Sequence, residues 1–254
     1  MIRCVMFDLG NVLFLIDTQR FCSTIAKHST NDVSPVELLT GRFSYLFRLF
    51  ELDKLNQFSF YEEVSGVYGL SGLDFREFCE LLCAVFNPDY RILNLMLALK
   101  GNGIQLALIT NISRLQLQYL RKAYPEFFIQ FDSIAASCEL GVRKPDPEIW
   151  IYSFDEIGAK AEGCFFIDDY LPNVEAFRGI GGMGFHYNVV DERCYPNGKL
   201  EIERNSLLLN MEKLGILSLN QAASVGDYKT YGISTENIVP KLLDAIDKRR
   251  KLVS

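Results

Sequence analysis

An apolar run that ends on a single acid constrains this chain more than any other stretch. Cys4-Val5-Met6-Phe7 leads into Asp8, and Gly10 follows two positions later. Near-continuous apolar runs of this length are buried strands of parallel sheets, because covering helices leave neither face to water. Open α/β sheets bind ligands beyond the carboxyl ends of such strands. Asp8 is therefore either a turn residue or part of a site, and the rest of the chain decides between them.

The C-terminal two thirds supply the partner strands. Ile104 to Thr110, Ser133 to Ser137 and Cys164-Phe165-Phe166-Ile167 read as strands, and Gly179 to Gly184 reads as a glycine-rich turn into Phe185-His186-Tyr187. Tyr90 to Leu99, Ser113 to Ala123, Asp146 to Ile157 and Pro172 to Arg178 read as the helices between and before them. Alternation of this kind predicts a doubly wound, parallel α/β sheet with right-handed crossovers. Residues from about 18 to 90 read instead as a helical insert without a strand. Ser34-Pro35-Val36-Glu37, Ser59-Phe60-Tyr61-Glu62 and Asp74-Phe75-Arg76-Glu77 each offer a capping side chain with a glutamate three positions on. Leu38, Leu39, Phe43, Leu46, Phe47 and Phe50 recur close to the helical period, and Asn87-Pro88 breaks the pattern. The expected division is an α/β core over 1–14 and 91–200, the helical insert over 15–90, and a C-terminal helical extension over 201–254. Lys199 to Leu214 and Thr235 to Lys251 read as helices there. The second ends in Lys248-Arg249-Arg250-Lys251, cations that favour a helix C-terminus.

Composition narrows the function. The net charge of −6 lacks the basic footprint of nucleic-acid binding. No apolar run is long enough to cross a membrane. Seven cysteines without a framework spacing, and no secretory leader, lead to the expectation of a reduced, cytoplasmic protein. Cys79 and Cys83 read as core residues. Only His28 and His186 are present, so a histidine triad or multi-histidine metal site is nearly excluded, and carboxylates, hydroxyls and lysine must carry any chemistry.

Four such signals fall at or just after predicted strands: Asp8, Thr110, Lys144 in the loop after the third strand, and Asp168-Asp169. Strand C-termini share one sheet edge, so these groups can converge. The set suits phosphoryl transfer through an aspartyl-phosphate. Asp8, the acidic pair and a phosphate dianion repel one another, and a hard cation such as Mg²⁺ offsets this. Lys144 supplies fixed positive charge and Thr110 a hydroxyl donor to a phosphoryl oxygen. A phosphate-accepting receiver domain uses similar groups, but with the acidic pair first and the lysine last, the reverse of the order here.

On Phe7-Asp8-Leu9-Gly10-Asn11-Val12, Thr110-Asn111, Lys144-Pro145 and Asp168-Asp169 with Asn173, the chain resembles the haloacid dehalogenase-like hydrolase superfamily over about residues 1 to 190. The resemblance implies a Rossmann-like core with the insert as a small cap over the site. It implies Asp8 as nucleophile, Thr110, Asn111 and Lys144 as phosphate-binding groups, and a Mg²⁺ site made by Asp8, the carbonyl of Gly10, Asp169 and Asp168, with Asn173 beside it. The opening motif is similar to that of sugar-phosphate phosphatases of the glucose-1-phosphate phosphatase type, which implies a small phosphorylated metabolite as substrate. Family phosphatases commonly carry a second Asp where this chain has Gly10. Asp17 is a candidate substitute for that acid/base. Two alternatives stay open: a non-catalytic relative that binds a phosphorylated ligand or protein partner, and a 2-haloacid dehalogenase, which has no need of the acidic pair.

Overall fold

A computed structural model of the chain describes residues 1–188 and 199–218. The helix expected over 235–251 lies outside the described residues. The chain begins with β1 (Cys4–Phe7) and β2 (Phe14–Ile16). Five helices follow: α1 (Thr18–His28), α2 (Pro35–Thr40), α3 (Arg42–Glu51), α4 (Gln57–Tyr68) and α5 (Phe75–Cys83). Then come β3 (Phe86–Pro88), α6 (Tyr90–Gly101), β4 (Gln105–Thr110), α7 (Arg114–Ala123), α8 (Pro125–Phe128) and β5 (Ser133–Ala136). The run closes with α9 (Ser137–Leu140), α10 (Glu148–Ile157), β6 (Cys164–Asp168), α11 (Leu171–Gly179), β7 (Met183–His186) and α12 (Lys199–Lys213).

Five strands form one sheet in the order β5-β4-β1-β6-β7, and every pairing in it is parallel. The chain builds outward from β1 through β4 to β5, then crosses back to β6 on the other side of β1. The strand order therefore reverses at β1, the position where doubly wound sheets bind ligands. Along β1 the side chains alternate, as a strand requires. Val5 and Phe7 join one apolar layer with α6, α7 and α12. Cys4 and Met6 join the other with Trp150, Phe166 and Phe177. Both faces are dry, which is why β1 reads as an unbroken apolar run.

The helices α1–α5 hold a separate apolar cluster centred on Phe60, which is fully buried. Its ring stacks on Phe50 at 4.5 Å and meets Phe43, Phe47 and Phe78 at 5.7–5.9 Å. Two of the three capping signals form as expected. Ser34 accepts from the Glu37 N–H, and Asp74 with Glu77 closes a reciprocal box. The third does not: Ser59 lies inside α4, and Asn56 caps it by accepting from the Phe58 and Ser59 N–H groups. Asn is at least as good an N-cap as Ser and came one turn earlier. A second difference is β3. It pairs antiparallel with β2, placing Leu15 opposite Asn87, so both crossings into the insert run through a two-stranded ribbon. Three residues ending in proline carry no legible strand period.

The expected C-terminal extension begins as part of the core. Leu207, Met211, Ile216 and Leu217 are buried in the same layer as β1. Arg204 donates to the carboxylate of Asp89, which also caps α6 through the Arg91 N–H.

Candidate active site

Asp8 directly follows β1, and its N–H continues the ladder to Ile167 O at 2.8 Å. Its carboxylate therefore emerges at the sheet's C-terminal edge, beside the end of β6. Lys144 reaches the same point from the loop after α9. It is 2% exposed, and its Nζ donates to Asp8 Oδ1 and to Asp168 Oδ2, both at 2.6 Å. The loop is pinned from the backbone. The Lys144 N–H donates to Asn111 Oδ1 at 2.9 Å, and Asn111 Nδ2 donates to the Lys144 carbonyl at 3.1 Å. The side-chain amide of Asn111 thus holds the lysine loop.

Asp168 is fully buried with both oxygens occupied. Oδ1 accepts from the Tyr170 N–H, Oδ2 from Lys144, and Asn173 Nδ2 donates to each at 3.1 Å. Asn173 is thereby placed as a brace for this carboxylate. Asp169 Oδ2 accepts from Asn11 Nδ2 at 2.8 Å, and Asn11 Oδ1 in turn accepts from the Ile16 N–H. Asn11 sits at φ 55°, a left-handed conformation that asparagine tolerates better than most side chains. Position 11 lay inside the quoted motif, but nothing in its spacing showed that it would orient the acidic pair.

Asp8, Asp168 and Asp169 each offer an oxygen, all within 4.8 Å of one another. Three carboxylates against one ammonium leave −3 + 1 = −2 when all are ionised. Burial pushes the Asp8 pKa well above the usual carboxylate range; Lys144 opposes this, and Asp168 and Asp169 reinforce it. Burial also pushes Asp169 up to about 6, against the Asn11 hydrogen bond. Burial disfavours the Lys144 charge, but Asp168 and Asp8 outweigh it and hold the ammonium above its ordinary value. A cluster of hard oxygens with this charge deficit fits a small divalent cation.

A cavity of about 240 Å³ opens beside this cluster, between the sheet edge and the insert. Gly10, Thr110 and Asn111 form its floor. Thr110 is the buried last residue of β4. A Cβ built on Gly10 would stand 2.7 Å from Cδ1 of Ile16, so hydrocarbon fills the space where a side chain at position 10 would begin. Asp17 does not replace it. Its carboxylate caps α1 by accepting from the Arg20 N–H, and the residue is not part of the cavity lining. The carboxylate the insert does bring to the cavity is Glu51, which the sequence did not single out. It accepts from Arg143 Nη2 at 2.8 Å, while its backbone carbonyl accepts from Ser137 Oγ. Burial raises the Glu51 pKa against the pull of Arg143.

A family model described as haloacid dehalogenase-like hydrolase matches residues 2–181. A sesquiterpene phosphatase from Aspergillus oryzae is 31% identical over 188 residues, covering 72% of this chain and 89% of that protein. A drimenol cyclase from Aspergillus calidoustus is 25% identical over 195 residues, but the match covers 35% of that longer protein. Among solved structures, a HAD family enzyme from Bacteroides thetaiotaomicron in complex with magnesium and inorganic phosphate aligns with a TM-score of 0.64 at 19% identity. That alignment covers 77% of this chain and 100% of the other, and it is a likeness of fold. No helix among the described residues is long and apolar enough to cross a membrane.

Proposed function

The chain belongs to the haloacid dehalogenase-like hydrolases, and on that premise we propose that it is a Mg²⁺-dependent phosphatase that hydrolyses a phosphomonoester through an aspartyl-phosphate on Asp8. The observation that carries the reading is the meeting of Asp8, Lys144, Asp168 and Asp169 at one point of the sheet edge. The phosphatase activity named for the Aspergillus oryzae relative points the same way. A dehalogenase would leave the acidic pair without a task.

Asp8, Asp169 and Asp168 would hold the cation, with the Gly10 carbonyl beside them. When bound, it lowers the repulsion between these carboxylates and the incoming phosphate and polarises a phosphoryl oxygen. An Asp8 oxygen attacks phosphorus, the bond from phosphorus to the alcohol oxygen breaks, and the alkoxide takes a proton from water. A second water then attacks the acyl-phosphate and gives a proton to the hydroxide left by the first, so that the phosphorus–Asp8 bond breaks, phosphate leaves and the carboxylate is restored. Lys144 opposes the burial that disfavours the Asp8 charge and holds that carboxylate in place, and Thr110 donates to a phosphoryl oxygen. Asn111, beside Thr110 at the phosphate end, also pins the lysine loop with its side chain. With Gly10 lacking a carboxyl group, water carries the protons, at a cost on the order of 10²–10⁴-fold in rate relative to a positioned acid/base.

The experiment is turnover of p-nitrophenyl phosphate. Wild-type protein should release p-nitrophenol with Mg²⁺ and stop on chelation. Asp8→Asn should lose about 10⁴-fold or more in kcat, as when the nucleophile of a covalent mechanism is removed. Wild-type protein that binds Mg²⁺ and phosphate yet turns over no ester would replace this reading with a non-catalytic one. Activity that survives Asp8→Asn would refute the nucleophile.

A further inference from the structure

Resting on the phosphatase reading above, we propose that the substrate is a phosphate monoester of a hydrocarbon alcohol, with the hydrocarbon lying in the cavity between sheet edge and insert. A sugar phosphate is the expectation this replaces. The cavity abuts the phosphate end at Gly10 and Thr110. Away from that end its walls are Ile16, Phe43, Phe47, Leu82, Val85 and Phe86. Four of these come from the helices of the insert or the ribbon's second strand, so the wall is assembled only when insert and sheet meet.

The polar groups that reach the cavity are mostly spent. Asn111 is bound on both sides by the Lys144 backbone. Gln116 donates to the Leu82 carbonyl and accepts from Ser113 Oγ. Glu51, the single ionisable residue of the lining among the described residues, is paired with Arg143. Thr18 and Ser44 add one hydroxyl each. A sugar ring brings a hydroxyl on nearly every carbon, and most would lose water without gaining a partner. A hydrocarbon asks for nothing but dry surface. Position 10 agrees: where a polar side chain would project toward the leaving oxygen, the tip of Ile16 lies instead. The cavity, about 240 Å³, is several times the roughly 30 Å³ share of one liquid water, so it has room for more than a bare phosphate.

The test compares kcat/KM for ethyl, butyl, octyl and geranyl phosphate with glucose 6-phosphate, using p-nitrophenyl phosphate as the reference ester. The expected result is a rise of about three- to fourfold per added methylene, with octyl and geranyl phosphate exceeding the sugar ester by about 10²-fold or more. Octylphosphonate should inhibit p-nitrophenyl phosphate turnover far better than methylphosphonate. Phe47→Gln, at a half-buried ring in the roof, should flatten the chain-length slope. If that variant does not fold, the phosphonate pair in the unmodified protein decides. Turnover of p-nitrophenyl phosphate with glucose 6-phosphate equal to or better than octyl phosphate would overturn the hydrocarbon assignment alone. Failure on every ester would sink the phosphatase reading beneath it.

Discussion

The floor and the roof of the cavity follow opposite rules. At the floor and the sheet edge beside it, polar groups hold one another: Asp168 by Lys144, Tyr170 and Asn173, Asp169 by Asn11, and the Lys144 loop by Asn111. On the roof the contacts are rings against rings, with Phe60 at their centre. Hydrogen bonds and buried charges fix atoms to within a few tenths of an ångström and tolerate almost no substitution. Hydrocarbon packing fixes volume and lets identities exchange. A reaction common to many substrates belongs on the first kind of surface and the choice among substrates on the second.

Three substitutions test that division. The largest effect is expected from Lys144→Met, which leaves Asp8 and Asp168 buried without their cation. Removing one partner of a buried ion pair costs about 3–5 kcal/mol. With two carboxylates stranded, urea unfolding should show a loss of about 5 kcal/mol, together with loss of turnover. A stable but inactive variant would mean that the floor is less tightly knit than its hydrogen bonds suggest. Next is Phe60→Ala, where deleting a fully buried ring should cost about 3–4 kcal/mol. The comparison sharpens if Mg²⁺ still binds with unchanged affinity while the insert loosens, as seen by faster amide exchange in α3 and α4. It breaks if metal affinity falls in step.

The smallest of the three is Arg143→Met, which strips the partner from Glu51. The expected loss is about 2–3 kcal/mol near pH 8, at the low end for a buried pair because Arg143 is partly exposed. Its pH dependence has a definite sign. The folded-state pKa of Glu51 is raised above 4.5, so the folded chain binds this proton more tightly than the unfolded one. That contribution favours the folded state at low pH and is lost as pH rises through the folded value. The variant's deficit should shrink as the pH falls toward 5. A deficit independent of pH would remove Glu51 from the explanation.

The same contrast governs what could be read in advance. The floor was legible because its chemistry sits at strand ends, where an unbroken apolar run stops at a charged residue. Asp8 and Asp168-Asp169 announced themselves that way, Thr110 as the hydroxyl that ends β4, and Lys144 as a loop charge after the third strand. Asn11 was harder, since its task depends on a left-handed backbone that the letters do not show. Asn111 was legible as a neighbour of Thr110, but its side-chain hold on the Lys144 loop was not, because that contact joins residues 33 positions apart. The roof could be read only as helical. Phe47 and Phe50 share one period, yet Phe47 lines the cavity and Phe50 is sealed inside the insert. That difference is decided by how α3 and α4 meet. Glu51 became a site residue for the same reason: Arg143 lies 92 positions away.

The tail of α12 has a practical meaning for anyone handling this protein. The family match ends at residue 181, which invites trimming there. Leu207 and Met211 lie beyond that boundary yet plug the layer behind β1, and Arg204 grips the aspartate that starts α6. A version cut at the apparent family limit would bare a greasy scar and unlatch the segment just after the ribbon, so it should clump on expression although every group of the reaction centre is still encoded.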